Sequence, residues 1–380
     1  MDNKSQRFWF IHSRSIAGFL LLLFVTLPFV FAGKPDLNPK KALPRAWAVL
    51  EQGLTYKDSV VREQAVQSLQ YVNAPSAERA LNAALSDESE YVRIWAAKIL
   101  AKKGSLSGKK TLLMIFHSQP QGATNATGPL AALVKMRQLA HGRLKAEAAK
   151  ALGLLKDRSV IPDLREGKMD NDGQVRDGSA VGLALLGDES ETIVFMSALK
   201  DQDKAVRFAA AEALEAIGDP RSISSFIMML REGDEMNRDV AVRTLGKIKS
   251  QVAIDPVSGL LTDPSDTVRQ NAAWALGEMQ ARDKIAGLKA SLSDPNELVR
   301  IKAAEALGKL KDTSGLPVLE AIMNSNDMDL RAAAAAALGS LVDPLAQSLA
   351  IKTLDDGNLK TRMGAAASLF KMDVQKNGAQ

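Results

Sequence analysis

The apolar positions of this chain recur on two scales. Within segments of a dozen residues they fall three and four apart, the spacing that lays side chains along one face of a helix. Between segments the whole pattern returns every 31 residues. The recurrent phrase is V-R-x-x-A-x-x-x-L-G, with its basic residue at Arg62, Arg93, Lys145, Arg176, Arg207, Arg238, Arg269, Arg300, Arg331 and Arg362. Eight of the nine intervals are 31 residues; the ninth, Arg93 to Lys145, is 52. A period of this size signals an array of ten units, each burying its apolar face against the next.

With the basic residue as position zero, the places around it read as one helix. Four residues earlier stand Asp58, Ser89, Asp172, Asp203, Asp234, Ser265, Asn296, Asp327 and Asn358. These side chains accept hydrogen bonds from first-turn N–H groups, so nine of ten helices are predicted to be capped, with His141 in the third place. Positions −1, +3 and +7 form the buried stripe: an apolar residue, then a small one (Ala65, Ala210, Ala303), then leucine (Leu69, Leu214, Leu307). The helix is expected to end near Gly104, Gly187 and Gly218, and at Lys or Asn in most other repeats. A second apolar segment, such as RSISSFIMMLRE, completes each period, so a repeat is two antiparallel helices. The first such segment is ALPRAWAVLEQG. The predicted fold is an all-α superhelix.

The unit D-x-x-V-R-x-x-A-x-x-A-L-G, as in Asp203–Glu215, Asn296–Gly308 and Asp327–Gly339, resembles the short HEAT-like repeats named after phycobilisome lyases. The resemblance covers roughly residues 42–375 and implies an α-solenoid, whereas function does not follow from such a fold. Two relatives of this repeat are enzymes. Deoxyhypusine hydroxylases hold iron through repeated His-Glu pairs, and no such pair occurs here. Bilin lyases act on cytoplasmic light-harvesting proteins. The resemblance also implies that the recurrent Asp and Arg tie adjacent repeats together, and that the second helix of each repeat lines the concave face.

The first 32 residues lie outside the period. Lys4, Arg7 and Arg14 precede an uncharged apolar run from Ile16 to Ala32, the outline of a secretory signal with a cleavage site before Gly33. An uncleaved anchor is the alternative, and either exports the remainder, to the periplasm or cell envelope of a bacterium or, as the other outcome, to the medium. Residues 33–41 then read as a linker, 42–375 as the array and 376–380 as a tail. With no cysteine anywhere, a disulfide framework, a lipoprotein anchor and a thiolate metal site are excluded. Cleavage removes three basic residues and one acidic one, taking the net charge from +5 to +3, which gives no case for nucleic acid.

Catalysis requires clustered nucleophiles, acids or ligands, and after the signal only His117 and His141 remain among histidines. No cofactor, metal or catalytic residue is therefore expected. The face at +1, +5 and +9 points away from the buried stripe and varies most between repeats. Trp95, Phe208, Arg243 and Trp274 stand there or at its edge, and such side chains dominate interface energetics. They are the candidate partner-binding residues, with packing over a neighbouring helix as the alternative for the tryptophans. The expected function is an exported, non-enzymatic scaffold for a protein or peptide, the membrane being met only through an uncleaved N-terminal segment. The competing reading is an enzyme or assembly factor akin to bilin lyases or HEAT-like oxidoreductases.

Two irregular features complete the expectations. The extra residues around 118–140 begin as a Gly/Thr/Asn loop and end as helix running toward Leu152, and form either a projecting contact or an inert loop. The last helix, with Leu369, Phe370, Met372 and Val374, lacks a following repeat to cover it. The array should then be an open curved rod, on the order of 90 Å long, whose last helix frays or associates end to end.

Overall fold

The computed structural model describes residues 39–120 and 129–377. The segments read as signal and, for the most part, as linker lie outside the described residues, as does the Gly/Thr/Asn part of the insertion. The described chain is helical, without strands. Its ten repeats comprise α1 (Pro39–Leu54) with α2 (Ser59–Ser68), α3 (Pro75–Ala84) with α4 (Glu90–Lys102), and α5 (Lys109–Phe116) with α6 (Pro129–Leu154). Next come α7 (Ile161–Gly167) with α8 (Gly173–Leu185), α9 (Glu189–Ala198) with α10 (Lys204–Ile217), and α11 (Ile223–Met229) with α12 (Glu235–Ile248). The remaining pairs are α13 (Ile254–Ser258) with α14 (Asp266–Glu278), α15 (Ile285–Ser291) with α16 (Glu297–Lys309), α17 (Leu316–Met323) with α18 (Met328–Ala337), and α19 (Pro344–Thr353) with α20 (Leu359–Asn377).

The local signals act much as the period predicts. Asp58, Asp172, Asp203, Asp234, Ser265, Asn296 and Asp327 accept bonds from first-turn N–H groups of their helices, and Asn358 accepts from Lys360 and Thr361. Ser89 is the exception: its backbone is extended as a cap requires, but its side chain makes no cap bond. Glu90 in the first turn complements the helix dipole there instead.

At the other end, residue +11 takes positive φ in seven repeats. Glycine fills three of these places (Gly104, Gly187, Gly218) and Lys156, Lys249, Gln280 and Lys311 the others. Gln280 replaces the expected Lys or Asn. The second helices of the first and ninth repeats finish instead in 3-10 turns, Leu69–Tyr71 and Leu338–Ser340.

Each second helix packs along the second helix of the next repeat, α12 on α14 and α14 on α16, and the first helices flank this layer. Small residues permit the approach. A Cβ at Gly277 would stand 2.8 Å from Ala306 Cα, and one at Gly308 2.9 Å from the Ser340 carbonyl carbon. The buried residues group into three cores that follow one another along the chain.

The open rod is corrected. One core contains Ala42, Ala46 and Leu50 of α1 together with Ala366, Leu369, Phe370 and Met372 of α20. α1 packs on α20 about as extensively as neighbouring second helices pack on each other. Gln52 accepts from Arg362 at 3.0 Å, Asp355 accepts from Arg45 at 2.7 Å, and a Cβ at Gly53 would collide with Met363 Sδ at 2.3 Å. The last helix is thus covered by the first. Packing α20 on α1, with Met363 seated against Gly53, removes apolar area that an open end would leave in water. Only Val374 of the four tail residues stays exposed. The array is closed on itself.

Candidate functional site

The recurrent arginine is structural, and its geometry explains why arginine rather than lysine recurs. In all nine arginine repeats one guanidinium nitrogen donates to two carbonyls of the preceding loop, as Arg269 does to Asp263 O at 2.9 Å and Pro264 O at 3.2 Å. In five arginine repeats the rest of the fork faces a carboxylate 25 residues on, in the next repeat, more loosely in Arg207–Glu232 at 3.9 Å and Arg331–Asp356 at 3.6 Å. Arg62–Asp87, Arg238–Asp263 and Arg269–Asp294 are bidentate, with distances of 2.8–3.0 Å. Lys145–Asp170 at 2.7 Å is the single-point version. The Arg269 fork holds Asp294 below the ordinary carboxylate range, outweighing its burial. These residues bind repeats to one another and leave the inner face to do anything else.

That face is lined by second helices and carries the four candidates, all half-buried. Trp95 packs against the core that also contains α1, with Lys98 Nζ 5.3 Å from its ring centre. Trp274 leans across to the preceding repeat, its ring meeting the place where a Gly246 Cβ would lie. Phe208 packs against the same middle core as Trp274. Arg243 is engaged by Glu215 at 2.6 Å and by Asp239 at 3.1 Å. The structure spreads these four over the second, fifth, sixth and seventh repeats. Ile94 and Ile301, expected at the open +1 position, are instead buried between helices. Glu212, Ala216 and Ala336 are exposed there.

The inner face is organised by glutamates that each hold several cations. Glu147 binds Lys98 and Lys150. Burial opposes its charge, but the two lysines outweigh it and bring its pKa down to about 2. Glu215 binds Arg243 and Lys247. Glu305 binds Lys302 at 2.9 Å, Lys309 at 3.2 Å and Lys371 at 3.8 Å, and is likewise held ionised against its burial.

Lys371 belongs to the tenth repeat and Glu305 to the eighth, so this contact crosses the ninth. Lys371 donates to Ser340 Oγ on the way, at 2.7 Å, and its ammonium lies 5.9 Å from the Tyr71 ring of the first repeat. Burial pushes Lys371 down and Tyr71 up. Tyr71 and Lys371 were not among the sequence candidates. The signal that marks them is the run Ala332–Ala337, which leaves the ninth second helix without side chains to block the crossing.

A cleft of about 810 Å³ lies outside this face, between α1 and α3, lined by Trp47, Glu51, Val66, Arg79, Ala80 and Ala84 among others. Among the described residues no group of three or more His, Cys, Asp or Glu side chains is placed to hold a metal, and no helix is long and apolar enough to cross a membrane.

Two-helix repeats stacked by an arginine–carboxylate ladder define an α-solenoid, here a closed one. The HEAT repeats family matches residues 48–127, 168–246, 225–292, 256–339 and 285–371, and the PBS lyase HEAT-like repeat matches 144–168. The chain belongs to the HEAT repeat family. Among solved structures it is similar to human deoxyhypusine hydroxylase in complex with glycerol, at 19% identity over 72% of this chain and 99% of that one, TM-score 0.35. The complex of CpcE and CpcF of phycocyanin lyase from Nostoc sp. PCC7120 gives 18% over 66% and 95%, TM-score 0.37. Kap121p bound to Nup53p gives 15% over 88% and 43%, TM-score 0.39. No curated protein matches the chain significantly.

Proposed function

We propose that the protein is a non-enzymatic scaffold, exported to the periplasm or cell envelope, whose second-helix face receives an extended or helical segment of a protein partner. The observation that carries this reading is the inner face itself. It keeps Trp95, Phe208 and Trp274 half-exposed where the repeat requires no aromatic residue, beside exposed positions at Glu212, Ala216 and Ala336. Alternating carboxylates and ammonium groups on this wall favour a peptide of mixed charge over a polyanion.

The test is crosslinking in intact cells followed by mass spectrometry, comparing wild type with Trp274→Ala, Phe208→Ala and the outer-face control Met228→Ala. The reading requires a partner that crosslinks through second-helix positions, survives Met228→Ala and weakens at least tenfold with either inner-face change. Equal capture by all four chains would overturn it. Cell fractionation and the mass of the purified protein test export: a periplasmic chain beginning at Gly33 is the expected result. A purified protein that carries bound chromophore or metal would turn the case toward an enzyme.

A further inference from the structure

The third repeat differs from the other nine in shape and in charge, and the two differences coincide. Between Glu90 and Glu147 the sequence contains no acidic residue and ten lysines and arginines. Lys98, Lys109 and Lys145 are matched by Glu147, Asp157 and Asp170 from outside this stretch, and Arg93 by Glu90 at its edge. Lys102, Lys110, Lys135 and Arg143 are exposed and carry no ion pair among the described residues. The rest of the array is acidic enough to leave the whole chain at only +5. The positive charge is therefore local.

The shape is set by α6, which begins at Pro129, thirteen residues before the place where the repeat would start it. At about 1.5 Å per residue, those residues form a helical projection roughly 20 Å long beyond the starts of the other second helices. Its surface is apolar: Leu130 is 63% exposed, Leu133 52%, Met136 68% and Leu139 44%. At 100° per residue Leu133, Met136 and Leu139 fall within a sector of about 120° shared with Arg143, bordered by Lys135 on one side and Arg137 on the other. A soluble helix would turn such a sector toward a core, and this one turns it to solvent.

We infer that the projecting start of α6 docks on an anionic lipid bilayer, lying in the interface with Leu133, Met136 and Leu139 among the acyl chains. Lys135 and Arg143 then lie at headgroup level, and Lys110 of the same repeat and Lys102 at the end of α4 add to the positive charge of this acid-free stretch. An apolar sector flanked by cations fits this occupant better than a polyanion, which would use the charges and leave the leucines and methionine in water. The membrane contact is additional to any made by the N-terminal segment and does not depend on the inner-face reading.

The test uses the chain beginning at Gly33, because Asp36–Gln380 forms a compact unit by itself, and vesicles of phosphatidylglycerol and phosphatidylcholine at 1:1 against pure phosphatidylcholine. Sedimentation should show at least tenfold stronger binding to the anionic vesicles, weakened by salt. Lys135→Glu with Arg143→Glu should reduce it at least tenfold, and so should Leu133→Asp with Met136→Asp. All of these side chains are on the surface, so unchanged thermal midpoints by circular dichroism are expected for the variants. Since the chain has no cysteine, Met136→Cys can carry an environment-sensitive dye, whose emission should shift to the blue on vesicles. Equal binding to both vesicles, no binding to either, or full retention by the aspartate variant overturns the proposal. In the last case the site is a polyanion site.

Discussion

Two junctions of the array perform the same task by different means. Between the seventh and eighth repeats, α14 meets α16 through Gly277 against Ala306, and Arg269 grips Asp294 with both arms. Where the tenth repeat meets the first, no carboxylate stands in the corresponding place. Arg362 finds the neutral Gln52, and Arg45 reaches Asp355 from a half-exposed position. The regular junction relies on close backbone approach and a charged rung. The closing one relies on larger apolar groups, Leu50, Met363, Leu369 and Phe370. Closure is thus chiefly a hydrophobic contact, whereas the regular junction adds a polar one that fixes register.

The largest expected effect separates the two by shape. Leu50→Ala and Leu276→Ala each remove a fully buried leucine and should each cost about 2–5 kcal/mol in urea unfolding. Only Leu50→Ala should raise the radius of gyration by X-ray scattering, as α1 releases α20. A compact Leu50→Ala chain would mean that α1 is not what closes the array.

The arginines come next. Arg269→Ala strands Asp294, whose side chain is 8% exposed, and should lose about 1–3 kcal/mol. Arg362→Ala gives up the same kind of loop bonds, here to Asp356 O and Gly357 O, but across the junction only an uncharged amide, and should cost less than Arg269→Ala by about 1 kcal/mol. Comparable losses would show that the closing junction depends on its polar contacts after all.

Acid distinguishes them further. Asp294 has a depressed pKa in the folded protein, so its contribution is complete above the ordinary carboxylate value near 4 and disappears as pH falls through the depressed one. Asp294→Asn should therefore destabilise the protein at pH 7 and flatten the slope of stability below pH 4. Gln52→Glu, which supplies the missing carboxylate opposite Arg362, should steepen that slope.

The smallest effect concerns the caps. Asn358→Ala removes two bonds to first-turn N–H groups of α20 and should cost about 1 kcal/mol. Ser89→Ala removes none and should be close to neutral. Thermal unfolding of the two variants side by side checks the pair.

The caps and the helix ends were legible in the sequence because each is local. The ladder was legible only in kind: the resemblance implied that recurrent Asp and Arg join repeats, but the aspartate four residues before the arginine caps its own helix, and the carboxylate the arginine holds stands six residues before the next basic position. Closure was not legible. It depends on the rotations between successive repeats accumulating over ten units, and no single position encodes that sum. Nor does α1 announce its partner, since Ala42, Ala46 and Leu50 have the spacing of any amphipathic helix.

The inner face was legible in part. The +1, +5 and +9 rule found Trp274 and Arg243, but it also admitted Ile94 and Ile301, which tighter packing between second helices buries. It passed over Tyr71 and Lys371, because their meeting depends on the first and tenth repeats being neighbours.

A path that closes has no first unit. Because α1 packs on α20, the place where the array starts and stops, between Asn377 and Pro39, is set by gene order and not by the architecture. A flexible linker of about ten extended residues spans the full length of α20, roughly 28 Å, and so can join these ends from whichever direction they approach. New ends could then be opened in the loop between α10 and α11 or between α16 and α17. Such circular permutants should fold to the same array with the ladder intact, as beads restrung on a bracelet keep their neighbours.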